Sequence, residues 1–182
     1  MAHQEQVVFF KDVKNKFPEK FSNCSVLDIG SLDINGNNHY LFTNYTYIGV
    51  DVGEGRNVDV VSKGHEYKSD KLFDIVISSE CFEHDMFYEK TIINCVNLTR
   101  PGGLFTFTCA STGRPEHGTK RTKPEDAPFL NSMEEWGDYY KNLTENDIRN
   151  VIDIDSIFEI YEFIYNPSSH DLYFWGIKNS VN

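Results

Sequence analysis

The chain has 182 residues, of which 40% are hydrophobic and 14% are aromatic, and this composition excludes global disorder. Its 28 acidic and 17 basic side chains give a formal charge of −11. Because nucleic acid and anionic membranes are bound by a positive surface, we expect neither as a partner. The expected substrate is a small molecule or a glycan, and the oligomeric state stays open between monomer and homodimer.

Targeting signals and metal-binding spacings are not evident. Residues 1–6 are polar, and no apolar run approaches the roughly 20 residues that span a bilayer, so we expect a cytoplasmic protein. The four cysteines form no CxxC pair and lie in apolar surroundings. This pattern favours buried free thiols over zinc ligands.

Hydrophobic periodicity divides the first half of the chain into an N-terminal helix, a short second helix and four strands. Val7, Phe10, Val13 and Phe17 share a helical face that ends at Pro18, within an N-terminal segment of residues 1–22. The predicted strands and the short helix between the first two follow in chain order: strand 25–29, helix 37–43, and strands 45–51, 58–61 and 73–78.

The second half of the chain continues the alternation and ends in a hairpin. The predicted elements are a helix over 85–99 with Asp85 as N-cap, a strand over 104–108, a helix over 144–152, and strands over 156–165 and 171–178. Alternating strands and helices predict an α/β Rossmann-like three-layer sandwich. We expect a mostly parallel seven-stranded sheet with an antiparallel C-terminal hairpin, in a single domain spanning residues 1–182.

Polar residues follow three of these strands, where open α/β sheets bind their ligands. Gly30 after the first strand permits a sharp turn and the close approach of a ligand. Asp51 ends the second strand about 20 residues later, as expected of an acid that binds both hydroxyls of a ribose. Ser79 and Glu80 follow the fourth strand. Taken singly, each is also consistent with an ordinary strand end, and Glu83 with a helix start.

The ordered segments VLDIGS, YIGVD, FDIVISSECFEHD and LTRPGGLFTFT resemble the class I S-adenosylmethionine-dependent methyltransferases. The resemblance covers residues 24–109 and is nearest to small single-domain members with a Glu-His pair after the fourth strand. It implies S-adenosylmethionine as the cofactor. The cofactor-binding residues that it implies are Asp28, Gly30 and Ser31 at the methionine end, Asp51 at the ribose, Val52, His65 and Glu66 at the adenine, and Ser79 and Glu80 in the crevice.

The sequence departs from the family pattern in two places. The usual GxGxG loop is absent, since Ser31, Leu32 and Asp33 follow Gly30 and the next glycine is Gly36. The usual Asp-Ala after the third strand is replaced by the segment 62–66. The adenine contacts are therefore the part of the resemblance with least support in the residues.

Residues 110–141 show no clear periodicity and are predicted to form a substrate-side lid. If the acceptor must lose a proton, His84, Glu116 and His117 are the candidate bases. A local basic cluster containing Arg114 would suit a phosphate or carboxylate, as in a sugar nucleotide or an acidic glycan end. Tyr139 and Tyr140 could stack on a ring of the acceptor or anchor the lid.

The leading interpretation is methyl transfer to a small-molecule or carbohydrate acceptor. A non-catalytic nucleoside-binding or scaffold domain on the same fold is the alternative. An NAD-dependent oxidoreductase is disfavoured, because the loop lacks the third glycine that packs a pyrophosphate-binding helix. No metal site is predicted, since Glu116 and His117 have no evident third ligand.

Overall fold

The structure is a computed structural model that describes residues 4–180. Its α-helices are α1 (Gln4–Lys16), α2 (Tyr88–Leu98), α3 (Glu145–Val151) and α4 (Ile154–Ile157). Its strands are β1 (Ser25–Ile29), β2 (Thr46–Asp51), β3 (Val60–Val61), β4 (Phe73–Ser79), β5 (Thr99–Ala110), β6 (Phe158–Asn166) and β7 (Asp171–Lys178).

The seven strands form one sheet in the order β3-β2-β1-β4-β5-β7-β6. Strands β1 to β5 pair in parallel, whereas β7 is antiparallel to both β5 and β6. The predicted fold class, a mostly parallel sheet with an antiparallel C-terminal hairpin, is confirmed. The chain builds outward from β1 to β3 and returns to place β4 on the other side of β1. This reversal creates the switch point at which ligands bind in such sheets.

Side chains of successive residues in the central strands point to opposite faces of the sheet and contribute to two apolar cores, one on each face. Leu27 and Val76 belong to the core that Ile92 of α2 covers. Val26 belongs to the opposite core, which Phe10 of α1 covers. Both faces are therefore packed, and the central strands are mostly apolar, as is typical of parallel strands between helical layers.

The short helix predicted over residues 37–43 is a single 3-10 turn, His39–Leu41. The helix predicted from residue 85 begins at Tyr88 instead. Asp85 stabilises the preceding turn, because its Oδ1 accepts the backbone N–H of Phe87 at 2.8 Å and its Oδ2 accepts the hydroxyl of Thr91. The acid predicted as the N-cap thus acts one turn earlier.

Three strand boundaries also differ from the prediction. β3 is shorter than predicted, with only Val60–Val61 in the ladder. β5 is longer, since it extends back to Thr99, which pairs with Phe73. The start of β6 is displaced because Asp153 caps the short helix α4 through the backbone N–H of Ser156, at 3.3 Å.

The segment of residues 110–141 is irregular but packed. It contains the 3-10 turns Pro124–Asp126 and Leu130–Ser132, and Ala127, Leu130 and Trp136 form a small apolar cluster of their own. All four cysteines are free, as predicted; three are buried, and Cys81 is half-buried. Within residues 4–180 no helix has the length and apolar character needed to cross a membrane.

Candidate functional site

A cavity of about 540 Å³ opens at the carboxyl ends of β1, β2 and β4, beside the switch point. Its volume lies within the range that is typical of small-molecule sites. The sequence-predicted residues that line it are Asp28, Gly30, Ser31, Asp51, Val52, Ser79, Glu80 and His84. The structure thus brings most of the predicted cofactor residues to one space.

Gly30 makes the turn out of β1 with φ of 79°, in the left-handed region that favours glycine. Its N–H donates to the carbonyl of Val50 at 2.9 Å, which fixes the turn against β2. A Cβ at this position would lie 2.5 Å from Cβ and Sγ of Cys81. The glycine therefore allows the β1 turn and the segment after β4 to meet beneath the cavity.

Asp28 is a buried carboxylate at the end of β1. Its Oδ2 accepts the hydroxyl of Tyr47 and the amide of Asn38, the latter at 3.4 Å. Among residues 4–180 its Oδ1 has no hydrogen-bond partner, and neither does the buried Oγ of Ser31. Burial raises the pKa of Asp28 to about 6. Two buried polar atoms of cavity-lining residues thus have no hydrogen-bond partner within the described part of the chain.

Asp51 projects from the end of β2 and is oriented by the backbone. Its Oδ2 accepts the N–H of Leu32 at 3.1 Å, and its Oδ1 accepts the N–H of Val52 at 2.7 Å. Each carboxylate oxygen keeps a second lone pair for a further donor. Burial raises the pKa of Asp51. The arrangement suits a ligand with two adjacent hydroxyl groups.

Ser79 and Glu80 occupy the end of β4. The Oγ of Ser79 accepts the amide of Asn38 at 3.0 Å, which joins this strand to the loop after β1. Glu80 has φ of 50°, and its N–H donates to the carbonyl of Thr108 at 2.9 Å. A positive φ at a residue with a side chain costs energy and is common at functional sites.

His65 and Glu66 are not among the residues that line the cavity. The ring of His65 packs against Phe87, with centroids 4.6 Å apart, and its Nε2 lies 3.6 Å from Oε1 of Glu66. Ser62 and Gly64 of the same segment do reach the cavity. The predicted adenine role of His65 and Glu66 remains a prediction.

His84 and His117 come together although they are far apart in the sequence. Their ring centroids are 4.9 Å apart and the rings are nearly perpendicular. Burial lowers the pKa of His84 to about 3, with His117 as a further cause, and burial also lowers the pKa of His117. Both rings are therefore neutral at pH 7 and have a lone pair that can accept a proton.

Glu116 is held by neighbours within the lid, and Arg114 is held by the turn between β6 and β7. The Oε1 of Glu116 accepts the hydroxyl of Thr119 at 2.7 Å and Nη2 of Arg121 at 2.9 Å, and the Thr119 bond is the largest cause of its lowered pKa. Nη1 of Arg114 donates to the carbonyl of Ser169 at 2.7 Å. Arg114 and Arg121 both have hydrogen-bond partners within the chain and do not require an anionic acceptor. Neither Glu116 nor Arg114 lines the cavity.

Tyr139 and Tyr140 lie beside the cavity rather than in its lining. The ring of Tyr140 contacts His84 and His117, with centroid distances of 5.5 and 5.1 Å. Its hydroxyl donates to the carbonyl of Pro115 at 3.3 Å. Burial raises the pKa of Tyr139 to about 12. In this conformation Tyr140 braces the histidine pair.

Sequence reasoning missed several residues that line the cavity. They are contributed by α1, by the loop after β1 and by the lid: Gln6, Lys11, Asn38, Tyr40, Phe129 and Trp136. Gln6 left a signal, because it lies on the same helical face as Phe10 and Val13 and is a polar residue on an apolar stripe. Phe129, whose ring packs on the backbone of Gly53, left none.

Comparisons with known proteins show the fold. No family model matches the chain, and no curated protein matches it by sequence. The N-methyltransferase NodS from Bradyrhizobium japonicum, solved with S-adenosylhomocysteine, matches with a TM-score of 0.61 at 13% identity, covering 97% of this chain and 89% of NodS. The 1,6-didemethyltoxoflavin-N1-methyltransferase from Burkholderia thailandensis, also with S-adenosylhomocysteine, matches at 0.60 and 14%, covering 98% and 92%.

A phosphoethanolamine N-methyltransferase from Haemonchus contortus, solved with S-adenosylmethionine, matches with a TM-score of 0.57 and 14% identity, over 92% of this chain and 52% of that one. At these identities the likeness concerns the fold. The chain therefore has the fold of the class I S-adenosylmethionine-dependent methyltransferases.

Proposed function

We propose that this chain is a cytoplasmic methyltransferase that uses S-adenosylmethionine and acts on a small molecule or a carbohydrate, sugar nucleotides included. The observation that carries the proposal is the cavity at the switch point, where the Gly30 turn and the carboxylate of Asp51 face one space. Solved proteins of the same fold hold S-adenosylmethionine or S-adenosylhomocysteine, which supports the choice of cofactor.

The donors and acceptors around the cavity fit this cofactor. The carboxylate of Asp28 would pair with the ammonium of its methionine part, and the hydroxyl of Ser31 would donate to the carboxylate. Asp51 would accept both ribose hydroxyls, since each of its oxygens keeps a lone pair. Val52 would border the adenine, with His65 and Glu66 near its edge. Ser79 and Glu80 would line the crevice beside the sulfur.

The cofactor supplies a methyl group that is already activated as a sulfonium. The protein's main task is then to hold the acceptor in line with that methyl and to exclude water. His84 lines the cavity and is the first candidate base, but a pKa lowered to about 3 makes its neutral ring a weak proton acceptor at pH 7. His117, in ring contact with His84, is the second candidate base and Glu116 the third.

The acceptor would enter between the sheet edge and residues 110–141. Phe129 and Trp136 provide an apolar wall on that side of the cavity. Tyr140 would shape the acceptor site through its contacts with the two histidines, and Arg114 and Tyr139 are the further candidate substrate residues. Because Arg114 and Arg121 are already paired with acidic groups, a neutral acceptor fits this side at least as well as an anionic one.

The test compares S-adenosylhomocysteine binding by isothermal titration calorimetry in the variants Asp51→Ala and Asp59→Ala. Asp59 is a matched control, because its carboxylate also accepts a backbone N–H, that of Gly49 at 2.8 Å, but it is exposed and away from the cavity. Loss of two charge-assisted hydrogen bonds, each worth roughly 1.5–3 kcal/mol, predicts at least about 100-fold weaker binding in Asp51→Ala only.

Equal affinities in the two variants would show that the ribose site is misplaced. Asp51→Asn, which keeps one acceptor oxygen, tests the charge separately, and circular dichroism checks folding. If S-adenosylhomocysteine binds but a panel of small molecules and glycans yields no methylated product, the non-catalytic binding domain becomes the better interpretation. Stabilisation by NAD alone would contradict the proposal.

A further inference from the structure

Three side chains with metal-ligating atoms converge behind the cavity: Glu83, His84 and His117. One ligand atom from each lies within 4.8 Å of the others, and all three residues are buried. Two of them follow β4, and the third comes from the lid, so the cluster exists only because the fold joins these segments. In the sequence His117 is adjacent to Glu116, and no spacing indicates that it meets Glu83 and His84.

The tautomer of His117 is fixed by its surroundings. Its Nδ1 lies 3.1 Å from the carbonyl oxygen of Pro115. Since a carbonyl can only accept, Nδ1 carries the proton and Nε2 keeps a lone pair. A backbone carbonyl that receives the other ring N–H is the usual outer partner of a metal-bound histidine.

The other two side chains have unsatisfied polar atoms. Among residues 4–180 neither carboxylate oxygen of Glu83 has a hydrogen-bond partner, although the residue is fully buried. Its Oε1 is 3.9 Å from Nε2 of His84, beyond hydrogen-bond distance. Nδ1 of His84 is also without a partner in the described part of the chain. Such groups in a folded core call for a missing ligand.

The lid backbone holds this cluster in place. The N–H of Lys141 donates to the carbonyl of Glu83 at 2.9 Å. Gly118, with φ of 66°, packs so closely on His84 that a Cβ would lie 2.6 Å from its Cε1. The ring of Tyr140 covers both histidines. These contacts hold the three ligating side chains in place relative to one another.

We propose that Glu83, His84 and His117 bind a divalent transition metal of the zinc class. Two imidazoles and one carboxylate form a donor set that zinc accepts, with metal–ligand distances of about 2.0–2.2 Å, and three protein ligands leave one position open. His84 is the member of the cluster that lines the cavity, so the proposed metal site adjoins the space in which the acceptor would bind. A metal held there would occupy the lone pairs with which the two histidines ligate it, so the metal, rather than a histidine base, would lower the pKa of an acceptor heteroatom, a role that rests on the proposed function.

The test measures Zn²⁺ binding to the untagged, chelator-treated chain by isothermal titration calorimetry, without cofactor. One Zn²⁺ per chain is expected, with a thermal shift to higher Tm. Glu83→Gln and His117→Asn should each weaken binding by at least about 100-fold, more than the loss of an outer partner. His170→Asn is the matched control, because His170 has φ of 58°, which asparagine tolerates, and lies in the β6–β7 turn.

Glu116→Gln is a second control, since this carboxylate is adjacent to His117 but is held by Thr119 and Arg121. Unchanged Zn²⁺ affinity in both controls supports the assigned ligands, whereas loss in Glu116→Gln would overturn them. If a ligand variant misfolds, the Co²⁺ spectrum of the wild type decides the question: tetrahedral visible bands without a thiolate band are expected.

Absence of stoichiometric Zn²⁺ binding would overturn the metal site even if S-adenosylhomocysteine binds. Conversely, a metal that binds to a chain with no affinity for S-adenosylhomocysteine would leave this site standing and remove the proposed function. The two proposals are therefore separated by their ligands.

Discussion

The two walls of the cavity are built in different ways. The sheet-side wall rests on backbone hydrogen bonds between neighbouring strands, such as that from Gly30 to Val50. The lid-side wall rests on the small cluster of Ala127, Leu130 and Trp136 and on side-chain bonds within residues 110–141. The sheet side is thus part of the global core, whereas the lid side has a core of its own. Donor binding depends on the first wall and acceptor binding on the second.

The largest expected effect separates the stability of the two walls. Phe107 of β5 is fully buried in the main core, so Phe107→Ala should lower the free energy of unfolding by about 3–5 kcal/mol. Trp136→Ala removes a large side chain from the lid cluster, which outside the lid is contacted by the partly buried Val52, Met86 and Phe87. In urea denaturation we expect the free energy of unfolding of the main transition to fall by less than about 1 kcal/mol in Trp136→Ala, because local units open independently of the global core.

Limited proteolysis checks the other half of this comparison. Trypsin should cut Trp136→Ala faster after Lys120 or Arg121 than it cuts the wild type. Equal losses of unfolding free energy in the two variants would mean that lid and sheet unfold as one unit, and the distinction between the walls would not hold.

The sheet side could be predicted because its signals are local. The mostly apolar run of residues 25–29 indicates a buried strand, and Gly30 directly after it indicates a tight turn. Neither inference requires knowledge of a distant residue. The order of strands then follows from connection rules. Gly30 and Asp51 were predicted to lie at one edge, and the structure places them at one cavity.

The lid side could not be predicted because its contacts join distant segments. His117 meets His84 and Glu83 only after the lid has folded over β4. Phe129 packs on Gly53, a partner that no spacing in the sequence indicates. The same holds for the helix predicted over residues 37–43, where His39 bonds to Tyr45 and Asn57 instead and a single turn remains. Tertiary contacts override local propensity at such places.

A smaller effect tests whether the turn at Gly30 needs a residue without a side chain because Cys81 lies so close to it. Gly30 and Gly102 both have positive φ, 79° and 69°, so an alanine at either position costs on the order of 1–3 kcal/mol. A Cβ at Gly30 would also meet Cys81 at 2.5 Å, whereas at Gly102 the nearest contact is Oγ of Ser180 at 3.3 Å. Only Gly30→Ala should therefore weaken S-adenosylhomocysteine binding, by about 10-fold.

Calorimetric titration of both alanine variants provides the measurement, with Tm recorded alongside. Gly30→Ala should lower Tm more than Gly102→Ala because of the Cys81 contact, so the affinities are compared at a temperature where both variants are folded. Weaker binding by Gly30→Ala alone under these conditions would confirm that the Gly30 turn contributes to binding. If Gly102→Ala lost affinity to the same degree, the effect would be one of general stability.

The last prediction is a pH dependence that arises on the sheet side. Burial raises the pKa of Asp28 to about 6 in the free protein, so the carboxylate gains a proton as the pH falls below that value. The ammonium of S-adenosylhomocysteine prefers the charged carboxylate. Affinity should therefore fall as the pH falls through 6, by up to about 10-fold per pH unit, and be constant above pH 7.

The measurement is the dissociation constant of S-adenosylhomocysteine between pH 4.5 and 8, a range of about two units around the expected pKa. Asp28→Asn should bind more weakly at pH 8 and lose the break near pH 6. Asp74→Asn is the control, because the carboxylate of Asp74 lies outside the cavity, pairs with Arg100 at 2.6 Å and has a lowered pKa. If the break persists in Asp28→Asn, another group titrates. The proposal that Asp28 pairs with the ammonium of the cofactor's methionine part would then be wrong.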